Sequence, residues 1–281
     1  MSEPSNVTID FDLDIQAGKV ERHYWGDLWR FRELFYFLAW RDILVRYKQT
    51  VVGIAWALIQ PLLTMIIFSV VFGKLGNMPS HGVPYPLFVF AALLPWQFFS
   101  RAMSEASGSL VGNANLVSKI YFPRLIIPAA SVITALVDFL IAAMFLVLLM
   151  VWFQWMPSWR VVFIPGFLLM ALGLAIGVGL WLAALNVTYR DFRYIVPFIV
   201  QFGLYVSPVG MSSSVVPDEW RLVYSINPMV GVIDGFRWAI LGGGNHLHLP
   251  GLLLSGGLVV VILITGLRYF RATERRFADV I

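Results

Sequence analysis

Long apolar runs broken by short polar stretches set the pattern of this chain. Six segments are dominated by apolar residues: about Val51–Phe72, Tyr85–Ser107, Leu125–Phe153, Val161–Leu185, Tyr194–Met211 and Leu252–Phe270. A helix needs roughly 20 residues to cross the ~30 Å hydrocarbon core of a bilayer, and these runs are of that order. Lipid offers no partner to backbone N–H and C=O groups, so the runs predict helices. The polar stretches between them then lie on one face or the other. The most polar is Gly108–Arg124, which carries Asn113, Asn115 and Lys119 and ends on Pro123-Arg124.

Ahead of the first apolar run the pattern changes twice. Val7, Ile9, Phe11, Leu13 and Ile15 alternate with Thr8, Asp10, Asp12 and Asp14. This period of two suits a half-buried strand on a soluble partner, or else a partly ordered tail. Residues 1–24 are read as a cytoplasmic N-terminal arm with no cleavable signal pattern. From Trp25 to Gln49, Trp29, Leu34, Phe37, Leu38 and Leu44 interleave with Arg30, Arg32, Glu33, Arg41, Asp42, Arg46 and Lys48. Basic and aromatic residues at helical spacing predict a helix lying in the membrane interface, with a plain cytosolic helix as the alternative. Residues 212–249 are too mixed for a plain loop. Pro217-Asp218-Glu219 and Asn227-Pro228 both read as helix starts, the second helix stopping at Gly242-Gly243-Gly244.

The expected fold is therefore an all-α integral membrane protein, with one membrane domain over residues 25–281. It has six transmembrane helices, an N-terminal amphipathic interface helix (25–49) and a re-entrant outer helical hairpin before the last span.

Composition agrees with this class. Of 281 residues 59% are hydrophobic and 13% charged, about half the charged share of a soluble domain; the mean hydropathy is +0.78. The absence of cysteine excludes disulfides and thiolate metal sites. The placement of charge gives orientation. Fifteen Lys and Arg fall before the first span, in Gly108–Arg124, at Arg190 and Arg193, and after the last span, with Arg101 near that face; Lys74, Arg160, Arg221 and Arg237 fall on the other. The positive-inside rule makes the fifteen cytoplasmic, and six spans put both termini there.

Candidate chemistry is sparse. No Gly-x-x-x-x-Gly-Lys-Ser/Thr is present, so the chain has no P-loop of its own. His246 and His248 read as residues of a solvated loop. Asp138 is the one acid deep in a span and is a candidate for function, or for a structural role between helices. Arg101 and Glu105, at i and i+4, can pair on one helix face as a gate element or as charge compensation. The aromatic residues, 15% of the chain, form stripes. Tyr194, Phe198, Phe202 and Tyr205 recur at helical spacing with Gln201 beside them; Trp56, Gln60, Thr64 and Phe68 form a slanted row; Trp96, Phe98 and Phe99 sit mid-span. Such faces with adjacent amides and hydroxyls suit sugar rings, which have apolar C–H faces and polar edges. Helix packing or a lipid-facing belt is the plainer alternative.

Five stretches, in chain order, carry a resemblance. They are Arg41-Asp42-Ile43-Leu44-Val45-Arg46-Tyr47-Lys48 followed by Gly53, Trp56 and Gln60-Pro61; Leu94-Pro95-Trp96-Gln97-Phe98-Phe99; Asn115–Arg124; Asn186-Val187-Thr188-Tyr189-Arg190-Asp191; and Asn227-Pro228-Met229. Together they resemble the membrane subunit of bacterial polysaccharide ABC exporters, from about Trp25 onward. The resemblance implies a permease in the bacterial inner membrane that works as a homodimer. Two separate ATP-binding subunits would hold the ATP and Mg, this chain holding no cofactor or metal. The cargo would be a lipid-linked glycan such as an O-antigen, capsule or teichoic acid; the other contacts are with membrane lipid and none with nucleic acid.

On that reading the path is lined by Trp56, Gln60, Thr64, Phe68, Trp96, Phe99, Tyr194, Phe198, Gln201, Phe202 and Tyr205. Asn113, Asn115, Lys119, Tyr121 and Arg190 couple to the ATPase, and Arg101, Glu105 and Asp138 are gate or structural charges. An ABC permease for a drug or small lipid would look alike. A membrane-embedded glycan or acyl transferase needs clustered His, Asp or basic residues, and a proton-coupled flippase would rest on Asp138 alone.

Overall fold

A computed structural model describes residues 24–48, 51–189, 191–242 and 247–277, without the side chains of residues 51–57 and 275. The arm with the alternating pattern lies outside these residues. All regular structure among them is helical: α1 (Tyr24–Arg30), α2 (Arg32–Tyr47), α3 (Val51–Phe68), α4 (Tyr85–Gly112), α5 (Ala114–Lys119), α6 (Ile126–Trp152), α7 (Ile164–Thr188), α8 (Phe192–Val206), α9 (Asp218–Tyr224), α10 (Pro228–Leu241) and α11 (Leu249–Thr273). Among the described residues five helices are long and apolar enough to cross a membrane, at Leu58–Leu75, Tyr85–Gly112, Ile126–Trp152, Trp159–Thr188 and Leu249–Thr273; Phe192–Val206 is a shorter apolar helix. The chain is a multi-pass membrane protein.

α4 is the centre of the bundle. Its apolar window is 83% buried, whereas no more than a third of any other candidate span is. Leu87, Phe88, Val89, Ala91 and Ala92 are fully enclosed, and α6, α7 and α10 pack around it. α7 and α11 meet at backbone distance. A Cβ on Gly266 would lie 2.3 Å from the Gly177 carbonyl oxygen, and one on Gly177 would lie 2.9 Å from the Leu263 backbone. Without hydrophobic drive between helices in lipid, such close contact is what holds a pair together. Trp181 then stacks on Tyr269 at 4.4 Å.

A second core joins the chain ends. Tyr24, Leu38 and Ala39 pack with Leu110, Val117, Phe122, Phe270 and Phe277. Glu274 fastens it: Oε2 accepts from the Tyr24 hydroxyl at 3.0 Å and Oε1 from the Arg124 amide at 2.7 Å. This end of the bundle carries most of the basic residues and is called the basic end below.

Both predicted helix starts in residues 212–249 are present. Pro217 precedes α9; Asn227 caps α10, its Oδ1 accepting from the Met229 amide at 3.1 Å, with Pro228 at the first helical position. α10 ends at Gly242, whose φ of 60° suits glycine; residues 243–244 lie outside the described residues. At 7 and 14 residues, α9 and α10 reach about 10 and 21 Å, and neither can cross a bilayer.

Candidate functional site

α8 presents an aromatic face that stays largely exposed among the described residues. Tyr194, Phe198, Phe202 and Tyr205 are all about 60% exposed or more, and Phe198 and Phe202 stack in parallel at 5.8 Å. Gln201 is exposed beside them. The opposite side of α8 rests on α4 through Gly203, where a Cβ would lie 2.6 Å from the Trp96 ring. Trp96 and Phe99 are buried beneath it, with ring centroids 5.6 Å apart. They form the floor under α8 and are not open surface in the single chain. Phe68 is also buried but reaches Tyr205 at 6.3 Å. Thr64 turns its hydroxyl back to the Gln60 carbonyl at 3.0 Å, leaving the exposed Gln60 amide as the polar group of that row. The Trp56 side chain lies outside the described residues. The face has the chemistry to stack on ring C–H surfaces and to hydrogen-bond at their edges.

The fifth apolar run is predicted to be helical to Met211, yet α8 stops at Val206. Pro208 ends it locally, because the residue before a proline is driven out of the helical conformation and Ser207 is extended at ψ 152°. The carbonyls freed beyond the break are taken up by Arg237 of α10, which sequence reasoning placed among the outer-face charges. It is 2% exposed. Its guanidinium donates to the carbonyls of Pro208, Met211 and Val209 at 2.6, 2.9 and 2.8 Å, and to that of Phe88 at 3.3 Å. It also lies 3.7 Å over the Phe88 ring. Non-helical backbone within an apolar bundle needs internal partners, and one side chain supplies them here. The available signal was an arginine three residues after Asp234 in a capped helix that is apolar elsewhere.

Asp138 anchors an ion cluster between α2, α4 and α6. Its Oδ2 lies 3.0 Å from Arg46 Nη2 and 3.1 Å from Arg101 Nε. These are ion pairs by distance, without the alignment of hydrogen bonds. Oδ1 accepts from the Tyr47 hydroxyl. Burial, reinforced by that hydrogen bond, pushes the Tyr47 phenol above its ordinary range, so it remains a donor. Arg46 also donates to Glu105 Oε1 at 3.1 Å. The expected Arg101–Glu105 pairing is therefore replaced: each pairs with a different partner, because α2 inserts Arg46 beside α4. The i,i+4 spacing on α4 could not reveal a competing helix.

The polar stretch Gly108–Arg124 becomes the last turn of α4, the short α5 and an extended exit. Asn113 closes α4, its Nδ2 donating to the Ser109 carbonyl at 2.9 Å while Oδ1 accepts from Arg41 at 2.9 Å. Asn115, Lys119 and Tyr121 are exposed at the basic end, and Val117 and Phe122 anchor the segment from below. Arg190 lies outside the described residues. Among the described residues no three His, Asp or Glu side chains come together as a metal site.

Comparison with known proteins agrees with this architecture. The sequence matches the family described as ABC-2 type transporter over residues 33–241. It is 29% identical over 258 residues to the O-antigen export system permease protein RfbA of Myxococcus xanthus, covering 90% of this chain and 97% of that protein. It is 26% identical over 245 residues to the RfbA of Klebsiella pneumoniae, covering 86% and 92%. Similarity to the polysialic acid transport protein KpsM of Escherichia coli is 24% over 250 residues, 83% of this chain and 91% of that one. With a match spanning most of its length, the chain belongs to the ABC-2 type transporter family, as a membrane transport subunit and not an enzyme.

Proposed function

We propose that this chain is the permease of an ATP-driven exporter that moves lipid-linked polysaccharide, of the O-antigen kind, out of the cytoplasm across a bacterial inner membrane. The observation that carries this reading is the uncovered aromatic face of α8 with Gln201 beside it. Many similar stacking contacts without a deep pocket let a sugar chain slide, since no single site holds it tightly. The names of the relatives, O-antigen export and polysialic acid transport, support a glycan cargo.

In this reading α3, α4, α6, α7 and α11 are five of the six spans and the sixth is α8, too short to cross alone, prolonged by the non-helical 207–211 that Arg237 holds; α9 and α10 are the re-entrant hairpin and α2 the interface helix. Two copies face each other across α3 and α8. Two ATP-binding subunits, holding ATP and Mg, dock at the basic end on α5, where Asn115, Lys119 and Tyr121 are exposed. Both termini lie in the cytoplasm.

Phe202→Ala and Tyr205→Ala test the path. Both side chains are exposed, so thermal stability and association with the ATP-binding subunit are expected to hold. Surface glycan should fall severalfold while glycan accumulates inside the cell. Wild-type surface glycan in both variants would remove this assignment. Unchanged glycan in cells lacking the chain altogether would instead favour a drug or small-lipid cargo.

A further inference from the structure

The polar segment that carries α5 is fastened at both ends by side chains from elsewhere in the chain. At its start, Asn113 accepts from Arg41 of α2 at 2.9 Å. At its exit the fastening is reciprocal. Glu274 Oε1 accepts from the Arg124 backbone amide at 2.7 Å, and the Arg124 guanidinium donates to the Glu274 backbone carbonyl. Each residue holds the other's backbone with its own side chain, across 150 positions of sequence.

Local chemistry explains why an acid stands there. Arg124 lies in the turn that enters α6, and the N-cap position of that helix, Leu125, offers no side-chain acceptor. Amides at a helix start lack intrahelical partners, and the helix dipole favours a negative group beside them. Glu274 supplies that group from the short 3-10 turn Glu274–Arg276 that follows α11. It is the one acid in residues 249–277, amid Arg268, Arg271, Arg275 and Arg276.

The same carboxylate reaches α1. Oε2 accepts from the Tyr24 hydroxyl at 3.0 Å, and the Arg271 guanidinium lies 4.3 Å over the Tyr24 ring. Beneath these contacts Val117 of α5, Phe122, Phe270 and Phe277 are buried in one core. α11 is itself firmly seated, since it meets α7 at backbone distance through Gly266 and Gly177.

We infer that Glu274 is a positioning residue for energy coupling. By clipping Arg124 it fixes the exit of α5 to α11 and α1, so movement imposed on α5 passes into the bundle instead of being taken up by residues 120–125. This inference rests on the reading of α5 as the docking element for an ATP-binding subunit. It adds that the C-terminal turn is part of the mounting of that element.

The test is export per ATP hydrolysed by the full chain reconstituted in vesicles with its ATP-binding subunits. Glu274→Ala removes both carboxylate bonds and should lower this ratio severalfold while the subunits still co-purify and hydrolyse ATP. Glu274→Gln keeps an acceptor for the Arg124 amide and a polar partner for the Tyr24 hydroxyl, and should restore most of the ratio. Arg124→Ala removes only the return bond and should also uncouple. Combined with Glu274→Ala it should cost less than the two single effects together, because both act on one clip. Should Glu274→Ala not assemble, Arg124→Ala decides by itself. A lowered melting temperature with a normal ratio in both variants would make the clip structural only and overturn the inference. If Lys119→Glu uncouples while both stay normal, the clip alone falls. If none of the three uncouples, α5 is not the docking element and that reading falls with it.

Discussion

Asp138 and Arg237 show how single side chains hold this bundle. Asp138 is 10% exposed and faces two guanidinium groups and a phenol. Asp138→Asn would leave Arg46 and Arg101 facing each other without their shared anion. Removing one partner of a buried ion pair costs about 3–5 kcal/mol. Arg101 is 36% exposed, and solvent screening puts the expected loss at or below the low end of that range. Thermal unfolding of the detergent-solubilised protein measures it. Arg237→Lys keeps the charge but not the planar fork that spans four carbonyls. Lysine has three N–H donors for four carbonyls, so at least one would lose its donor, and a buried unsatisfied group costs about 1–3 kcal/mol. A melting temperature within a degree of the wild type would refute the clamp.

At the scale of elements, close helix contact and coupling are the testable features. Gly266→Val should push α11 from α7, because the first added carbon already meets the Gly177 carbonyl. Overpacking of this kind costs about 1–3 kcal/mol, and more against rigid backbone. Gly257→Ala on the same helix meets nothing within 4 Å and is the matched control, expected to behave as wild type. α5 projects Lys119 from a short helix anchored by Val117. Lys119→Glu should therefore leave folding intact and lower the export achieved per ATP hydrolysed by the partner subunit. Normal coupling in a reconstituted assay would count against α5 as the docking element.

At the scale of the whole molecule, the uncovered α8 face and the buried α4 define an asymmetric bundle. α6 and α11 expose mainly aliphatic surface, whereas the exposed surface of α8 is aromatic. If the α8 face serves a passing glycan, shortening the stripe should grade the effect. Phe198→Ala with Phe202→Ala together should reduce export by less than the two single effects combined, since either change alone already breaks the one stack. Strictly independent effects, measured as surface glycan per cell, would argue that the stack is not used as a unit.

Much of this was legible in the chain. Apolar runs set the long helices because lipid leaves the backbone no other way to satisfy itself. Asn227-Pro228 and Pro217-Asp218 marked helix starts because capping is local chemistry. The aromatic stripe on α8 followed from helical spacing alone, though not its exposure. What spacing could not supply was any relation between distant segments. Arg46 takes Glu105 away from Arg101, across 59 positions of sequence. Arg237 satisfies the carbonyls beyond the end of α8 from 26 to 29 positions away. Trp96 and Phe99 look like open aromatics in one dimension and become floor once Gly203 lets α8 descend on them. The sequence alone determined which segments are helices and which faces are aromatic, because both depend on neighbours within a turn or two. Only the tertiary structure decided which charges pair, what satisfies the backbone beyond α8 and which aromatics stay uncovered, because those depend on which helix arrives alongside.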